Sequence, residues 1–113
     1  MARYALTARI RGRVEREGFG DLAAALDALE RRGHELQGRA DADVVGGSMM
    51  RRFQPEDQVT ARLEVSGPGA RGGVDVRGDG SAVPFTGRLR RNPVERRDGE
   101  SAYDALRREM LPH

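Results

Sequence analysis

From residue 3 to residue 15 apolar and polar side chains alternate along the chain. Tyr4, Leu6, Ala8, Ile10, Gly12 and Val14 fall on one side; Arg3, Thr7, Arg9, Arg11, Arg13 and Glu15 fall on the other. A period of two predicts one long strand with one buried face. Gly18 and Gly20 break it. The spacing then widens to that of a helix, with Phe19, Leu22, Leu26 and Leu29 on one stripe and Ala25 beside them. Asp21 suits the start of that helix, Arg31 and Arg32 suit its end, and Gly33 stands where helices commonly stop. Between His34 and Val44 the period returns to two. Leu36, Gly38, Ala40, Ala42 and Val44 face one way and Glu35, Gln37, Arg39, Asp41 and Asp43 the other, which predicts a second strand.

Three more strands follow. One over 58–66 buries Val59, Ala61, Leu63 and Val65, and one near 73–77 buries Val74 and Val76. One over 82–90 turns Val83, Phe85, Gly87 and Leu89 inward. The last element is a helix: Ser101 with Asp104 three residues on resembles a capping box, and Ala102, Tyr103, Leu106 and Met110 form its apolar stripe. The expected fold is therefore α+β, a single domain over residues 1–113 in the order β-α-β-β-β-β-α. A mostly antiparallel five-stranded sheet carries both helices on one face, because two amphipathic helices are what the chain offers to cover it. In outline this order resembles the β-α-β-β-β-α of ribosome hibernation factors, and its first elements are similar to the cystatin-like order. The former resemblance implies contact of basic helices with ribosomal RNA. Here Asp27 with Arg31, and Asp104 with Arg108, are i,i+4 pairs that occupy helix arginines. No residue motif carries either resemblance, and element order does not assign function.

The stretch "GPGARGGVDVRGDG", residues 67–80, contains the G-x-G-x-x-G spacing at Gly67, Gly69 and Gly72, and the tripeptide Arg77-Gly78-Asp79. A dinucleotide loop must leave a strand and open a helix, whose N-terminus holds the pyrophosphate. A strand follows Gly72 instead, so the glycines are expected to turn the chain between antiparallel strands. Asp79-Gly80 between apolar runs is a hairpin signal, and Arg-Gly-Asp falls inside that turn.

Composition narrows the function classes. With 37% hydrophobic residues and 4% aromatics, the core must be built mainly from Leu, Val and Ala. The absence of cysteine removes disulfides, thiol chemistry and cysteine-based zinc sites. No apolar run approaches the ~20 residues of a membrane span, and the N-terminus lacks the apolar stretch of a signal peptide; the expectation is a cytoplasmic, bacterial-type protein. All twenty basic residues are arginine, yet eighteen acidic residues leave a net charge of only +2. Asn92 and Ile10 are the only residues of their types, so the arginine excess also matches the codon supply of a GC-rich genome. A polyanion partner is permitted but not required.

Catalytic and metal chemistry find little support. His34 reads as a helix-end or surface residue, and His113 is the last residue. Glu35, Asp41 and Asp43 share a face of the expected strand but have no histidine at ligand spacing, so neither a metal nor a cofactor is expected. Two surfaces stand out. The segment "GGSMMRRFQPED", 46–57, is a long connection; Met49, Met50, Arg51, Arg52 and Phe53 are residue types suited to a protein interface. They mark the expected partner-binding site, which together with a sheet edge suits a non-enzymatic assembly protein, a homodimer above all. The outward sheet face offers a nucleic-acid or ribosome-contacting alternative through Arg9, Arg11, Arg13, Arg62, Arg88 and Arg90. An enzyme or ligand-binding domain with an unrecognised site ranks third. Cross-strand pairing with carboxylates would neutralise much of the arginine face. A generic oligonucleotide should then bind more weakly than ~10 μM at physiological salt, and changing Arg9, Arg11 and Arg13 to Gln should barely alter it. A filter-binding or anisotropy titration decides, and tight binding abolished by those changes would promote the nucleic-acid alternative.

Overall fold

A computed structural model describes residues 2–46, 59–87 and 90–112, with residues 40–46 described by their backbone alone. Six strands, β1 (Tyr4–Ile10), β2 (Arg13–Phe19), β3 (Val59–Gly67), β4 (Ala70–Arg77), β5 (Ala82–Thr86) and β6 (Asn92–Pro93), make one antiparallel sheet in the order β2-β1-β3-β4-β5-β6. The helices α1 (Leu22–Gly46) and α2 (Ala102–Met110) cover one face. The α+β class, the antiparallel sheet and the two helices stand as expected, with six strands in place of five.

The N-terminal alternation is broken by a turn. Arg11 and Gly12 both have positive φ, 49° and 83°, as a two-residue primed hairpin turn requires, and Ile10 pairs with Arg13. Running the alternation through residues 3–15 as one strand therefore inverts the second half. Leu6 and Ala8 face the helices as expected, but Glu15 and Glu17 stand opposite them on the same face, and Val14 lies on the far face with 58% exposure. Gly18, read as a break, lies inside β2; the chain turns earlier, at Arg11-Gly12, and β2 ends before Gly20.

The expected strand over 34–44 is instead the continuation of α1. Leu22, Leu26, Leu29, Gly33 and Leu36 keep one helical stripe through the glycine. Residues 34–43 contain no β-branched side chain and no Phe, Tyr or Trp, and Ala, Glu, Leu, Gln and Arg favour helix. The apparent period of two came from counting small residues as apolar. Gly33 does not stop the helix. A Cβ there would run into the Tyr103 ring of α2, so glycine is what lets α1 and α2 touch. With β2 added and the 34–44 strand removed, the order is β-β-α-β-β-β-β-α, and the likeness in element order to the two families disappears.

The central hairpin makes the core. Leu63, Val65, Val74 and Val76 are fully buried beneath Leu26, Leu29 and Leu106. Pro68 and Gly69 (φ 67°) close β3 onto β4 with the residue pattern of a type II turn. Gly72 lies in β4 under Leu106 and Met110, and no helix opens there. Between β4 and β5 the Gly80 N–H donates to the Arg77 carbonyl at 2.9 Å; Gly80 has φ 86°, and Asp79 Oδ1 accepts from the Ser81 N–H. This bulged turn pairs Val76 with Ala82 and Val74 with Pro84, so Ala82 and Pro84 face the core. The expected inward set on β5 is thus inverted: Val83 and Phe85 lie on the far face, and Leu89 falls outside the described residues. Pro84 is tolerated because its carbonyl, and hence its missing N–H, faces the short β6, where Val94 N donates to it at 3.0 Å.

At the end of the chain the capping box forms as read. Ser101 Oγ accepts from the Asp104 N–H and the Asp104 carboxylate accepts from the Ser101 N–H. Gly73 fixes the strand spacing. An added Cβ would overlap the Leu63 carbonyl oxygen and approach Glu64 Cα to 2.9 Å. Both are backbone atoms of β3, so Gly73→Ala should cost ~1–3 kcal/mol as an overpacked site. Gly20→Ala, with nothing within 4 Å of its Cβ, should be near neutral. Urea denaturation of the two variants checks this; equal stability would show that the strands part easily here.

Candidate interaction surface

The strand β2 is one end of the sheet. Its seven residues are exposed except Phe19, and among the described residues no chain pairs beyond it. The Ile10–Arg13 pair closes the hairpin, so in the alternating antiparallel ladder Arg13, Glu15, Glu17 and Phe19 spend their backbone groups on β1. In agreement, the Phe19 carbonyl accepts from the Arg3 N–H at 3.0 Å. Val14, Arg16 and Gly18 then direct theirs outward. Glu15 is held from α1 by Arg32 at 2.7 Å and lies 3.9 Å from Arg13, which is 74% exposed. Arg32 also bonds Glu35 at 3.1 Å. Between β2 and α1 runs a groove of about 510 Å³, floored by Leu6, Ala8 and Ala28 and walled by Glu17, Arg31 and Arg32. At the other end of the sheet β6 has two residues, one of them Pro93.

The sheet face away from the helices is where the arginine pattern was expected. Arg62 and Asp75 are direct cross-strand partners joined by two hydrogen bonds of 2.6 and 3.2 Å. This bond raises the Arg62 pKa above its ordinary value. Arg71 bonds Glu64 at 3.1 Å. Phe85, 3% exposed, packs over Gly73 with the Arg62 and Arg91 guanidiniums 6.0 and 5.5 Å from its ring centre. An aromatic ring is thus present on this face, against expectation, but arginines cover it. Of the six arginines read as a nucleic-acid surface, Arg9 and Arg62 share this face as direct cross-strand neighbours. Arg11 sits in the hairpin turn, Arg13 is on the helix side, Arg90 is exposed in the loop before β6, and Arg88 lies outside the described residues. Arg16, not singled out from sequence, joins Arg9 on the far face.

A third cluster ties α1 to α2. Arg107 bonds both Glu30 and Asp27, Glu30 also meets His34 Nε2 at 3.0 Å, and the His34 and Tyr103 rings are 4.9 Å apart. The Tyr103 hydroxyl donates to Gln37 Oε1 at 2.5 Å, and Gln37 Nε2 donates to the Gly80 carbonyl at 2.8 Å. Burial, then the Glu30 charge, pushes Tyr103 up to about 12, so it remains a neutral donor. Arg107 holds Glu30 below its usual carboxylate range. His34 lies within α1, not at its end, and joins this clamp. The i, i+4, i+7 spacing of Glu30, His34 and Gln37 was the available sequence signal; it was hidden by reading residues 34–44 as a strand.

Among the described residues no three His, Cys, Asp or Glu side chains converge as metal ligands, and no helix is long and apolar enough to cross a membrane. The side chains of Asp41 and Asp43 are not described, but both belong to α1, so the expected strand face with Glu35 does not exist. Met49, Met50, Arg51, Arg52 and Phe53 lie outside the described residues. Comparison with known protein families, with characterised proteins and with solved structures finds no significant match.

The clamp makes a pH prediction. The folded pKa of Glu30 is depressed, so its stabilisation is complete above the unfolded carboxylate pKa and is lost as pH falls through the lowered value. At neutral pH, Glu30→Gln should cost ~1–2 kcal/mol as a lost charge-assisted bond. The gap between variant and wild type should close as pH falls below ~4. Thermal unfolding from pH 7 to pH 3 reads this directly. A gap that stays constant across that range would mean that the carboxylate charge does not hold the clamp.

Proposed function

We infer that this chain is a non-enzymatic binding and assembly domain that works through protein contacts at the edge of its sheet. The observation that carries this reading is β2, seven residues long with one side unpaired among the described residues. Unpaired strand edges recruit other strands. Residues 46–57 supply Met49, Met50, Arg51, Arg52 and Phe53, whose adaptable apolar and guanidinium side chains suit the rim or anchor of such a contact. The same chemistry favours homo-oligomers, a dimer above all, because a domain with so few aromatics gains most by covering apolar side chains of its own kind.

A second reading, contact with RNA or the ribosome, draws on Arg9 and Arg16, which lie on the far sheet face with no ion-pair partner among the described residues. It is weaker because Arg62 and Arg71 on that face are already spent on Asp75 and Glu64.

Two variants test the assembly reading. Val14→Pro removes an outward N–H without removing an arginine, and edge strands tolerate proline. It should abolish self-association with a small change in melting temperature. Met50→Ser with Phe53→Ser should weaken association without unfolding. Sedimentation velocity reads both. A wild-type monomer at ~100 μM, far above a micromolar dissociation constant, or a dimer indifferent to Val14→Pro, would overturn the role of the edge.

A further inference from the structure

We propose that the occupant of the β2 edge is β2 of a second copy, paired antiparallel with Glu15 on the two-fold axis, so that two sheets become one. This rests on the assembly reading above and specifies both the partner and the register.

The constraint comes first from symmetry. A closed dimer joined by antiparallel edge strands has its axis perpendicular to the sheet, which leaves both helix layers on the same side. Only registers that put a residue opposite itself qualify. The outward backbone groups belong to Val14, Arg16 and Gly18, and these must meet each other across the new ladder. With Glu15 on the axis, Val14 meets Arg16 of the second copy and exchanges both backbone bonds with it, twice over by symmetry.

The side chains then choose among the allowed registers. With Glu15 on the axis, Arg13 stands opposite Glu17 of the second copy, again twice. Both lie on the helix side of the edge. Arg13 is 74% exposed with only a 3.9 Å approach to Glu15, and Glu17 has no ion-pair partner among the described residues. The pair is close because it is a non-hydrogen-bonded one. On the other face the exposed Val14 lies against the aliphatic stem of the second copy's Arg16. The two Glu15 carboxylates meet at the axis, each already bonded by its own Arg32. Moving the axis to Arg16 sets Glu15 against Glu17 twice, two like-charge pairs with nothing gained. Moving it to Val14 does pair Arg13 with Glu15, but runs the ladder into the turn at Gly12. The charges along "RVERE" thus reject the Arg16 axis, and the turn at Gly12 rejects the Val14 axis.

The chain has no cysteine, so single cysteines report proximity without background. Glu15→Cys should form most of its chain as a disulfide-linked dimer under mild oxidation, since facing residues of a non-hydrogen-bonded pair fall within disulfide reach. Arg13→Cys and Glu17→Cys should fail to link alone and link to each other when mixed. Independently, Arg13→Glu should weaken the dimer about tenfold, and the double change Arg13→Glu with Glu17→Arg should restore it. Circular dichroism confirms that each variant is folded. Self-linking at Val14→Cys or Arg16→Cys instead of Glu15→Cys, or no rescue by the charge swap, overturns the register while a dimer sensitive to Val14→Pro keeps the edge. A dimer insensitive to Val14→Pro defeats both.

Discussion

Everything in this fold depends on how closely its two layers approach. A core assembled from leucine, valine and alanine has little volume per residue, so the helices must settle near the sheet. Gly33 admits the Tyr103 ring and Gly72 admits Leu106 and Met110. That closeness buries Leu63, Val65, Val74 and Val76 on the helix side of the β3–β4 hairpin, and it brings polar side chains of the two helices within reach of each other. The Glu30–Arg107–Asp27 clamp and the Tyr103–Gln37–Gly80 chain are consequences of that short separation. The helix layer is thereby locked to the β4–β5 turn.

Among the described residues both helices lie on one face, so the far face of the sheet draws on its own side chains. It does so by pairing Arg62 with Asp75 and Arg71 with Glu64, and by laying Phe85 across a glycine beneath guanidiniums. Those side chains find their partners within the face, whereas the outward backbone groups of β2 find none among the described residues. The two surfaces share an abundance of arginine but differ in what their backbones have left over.

Much of the architecture was legible in the sequence, and the misreadings have definite causes. The alternation over 61–66 and the capping box at Ser101 translate directly into β3 and α2, but a register shift between Val59 and Ala61 leaves Val59, read as inward, 45% exposed. Two turns flipped the phase of what followed: Arg11-Gly12, where an arginine takes a conformation usually left to Asn or Gly, and Gly80, whose bulge adds a residue. Small residues caused the third error, since Gly38, Ala40 and Ala42 fit a period of two as well as they fit a helix. The candidate edge was hidden by the first of these. As long as residues 3–15 were one strand, no separate outer strand existed to be noticed, and Glu15 and Arg13 appeared to lie beside Arg9 instead of across the sheet from it. The interface residues proposed at 49–53 rest on residue type alone.

The shortness of β6 has a consequence for growth. A sheet that can be extended at both ends adds copies without limit and forms fibres. Here one end stops after Asn92 and Pro93, and a strand of two residues with a proline offers almost no ladder. Copies joined through β2 as proposed would therefore expose two blunt ends, and the sheet would stop growing at a pair.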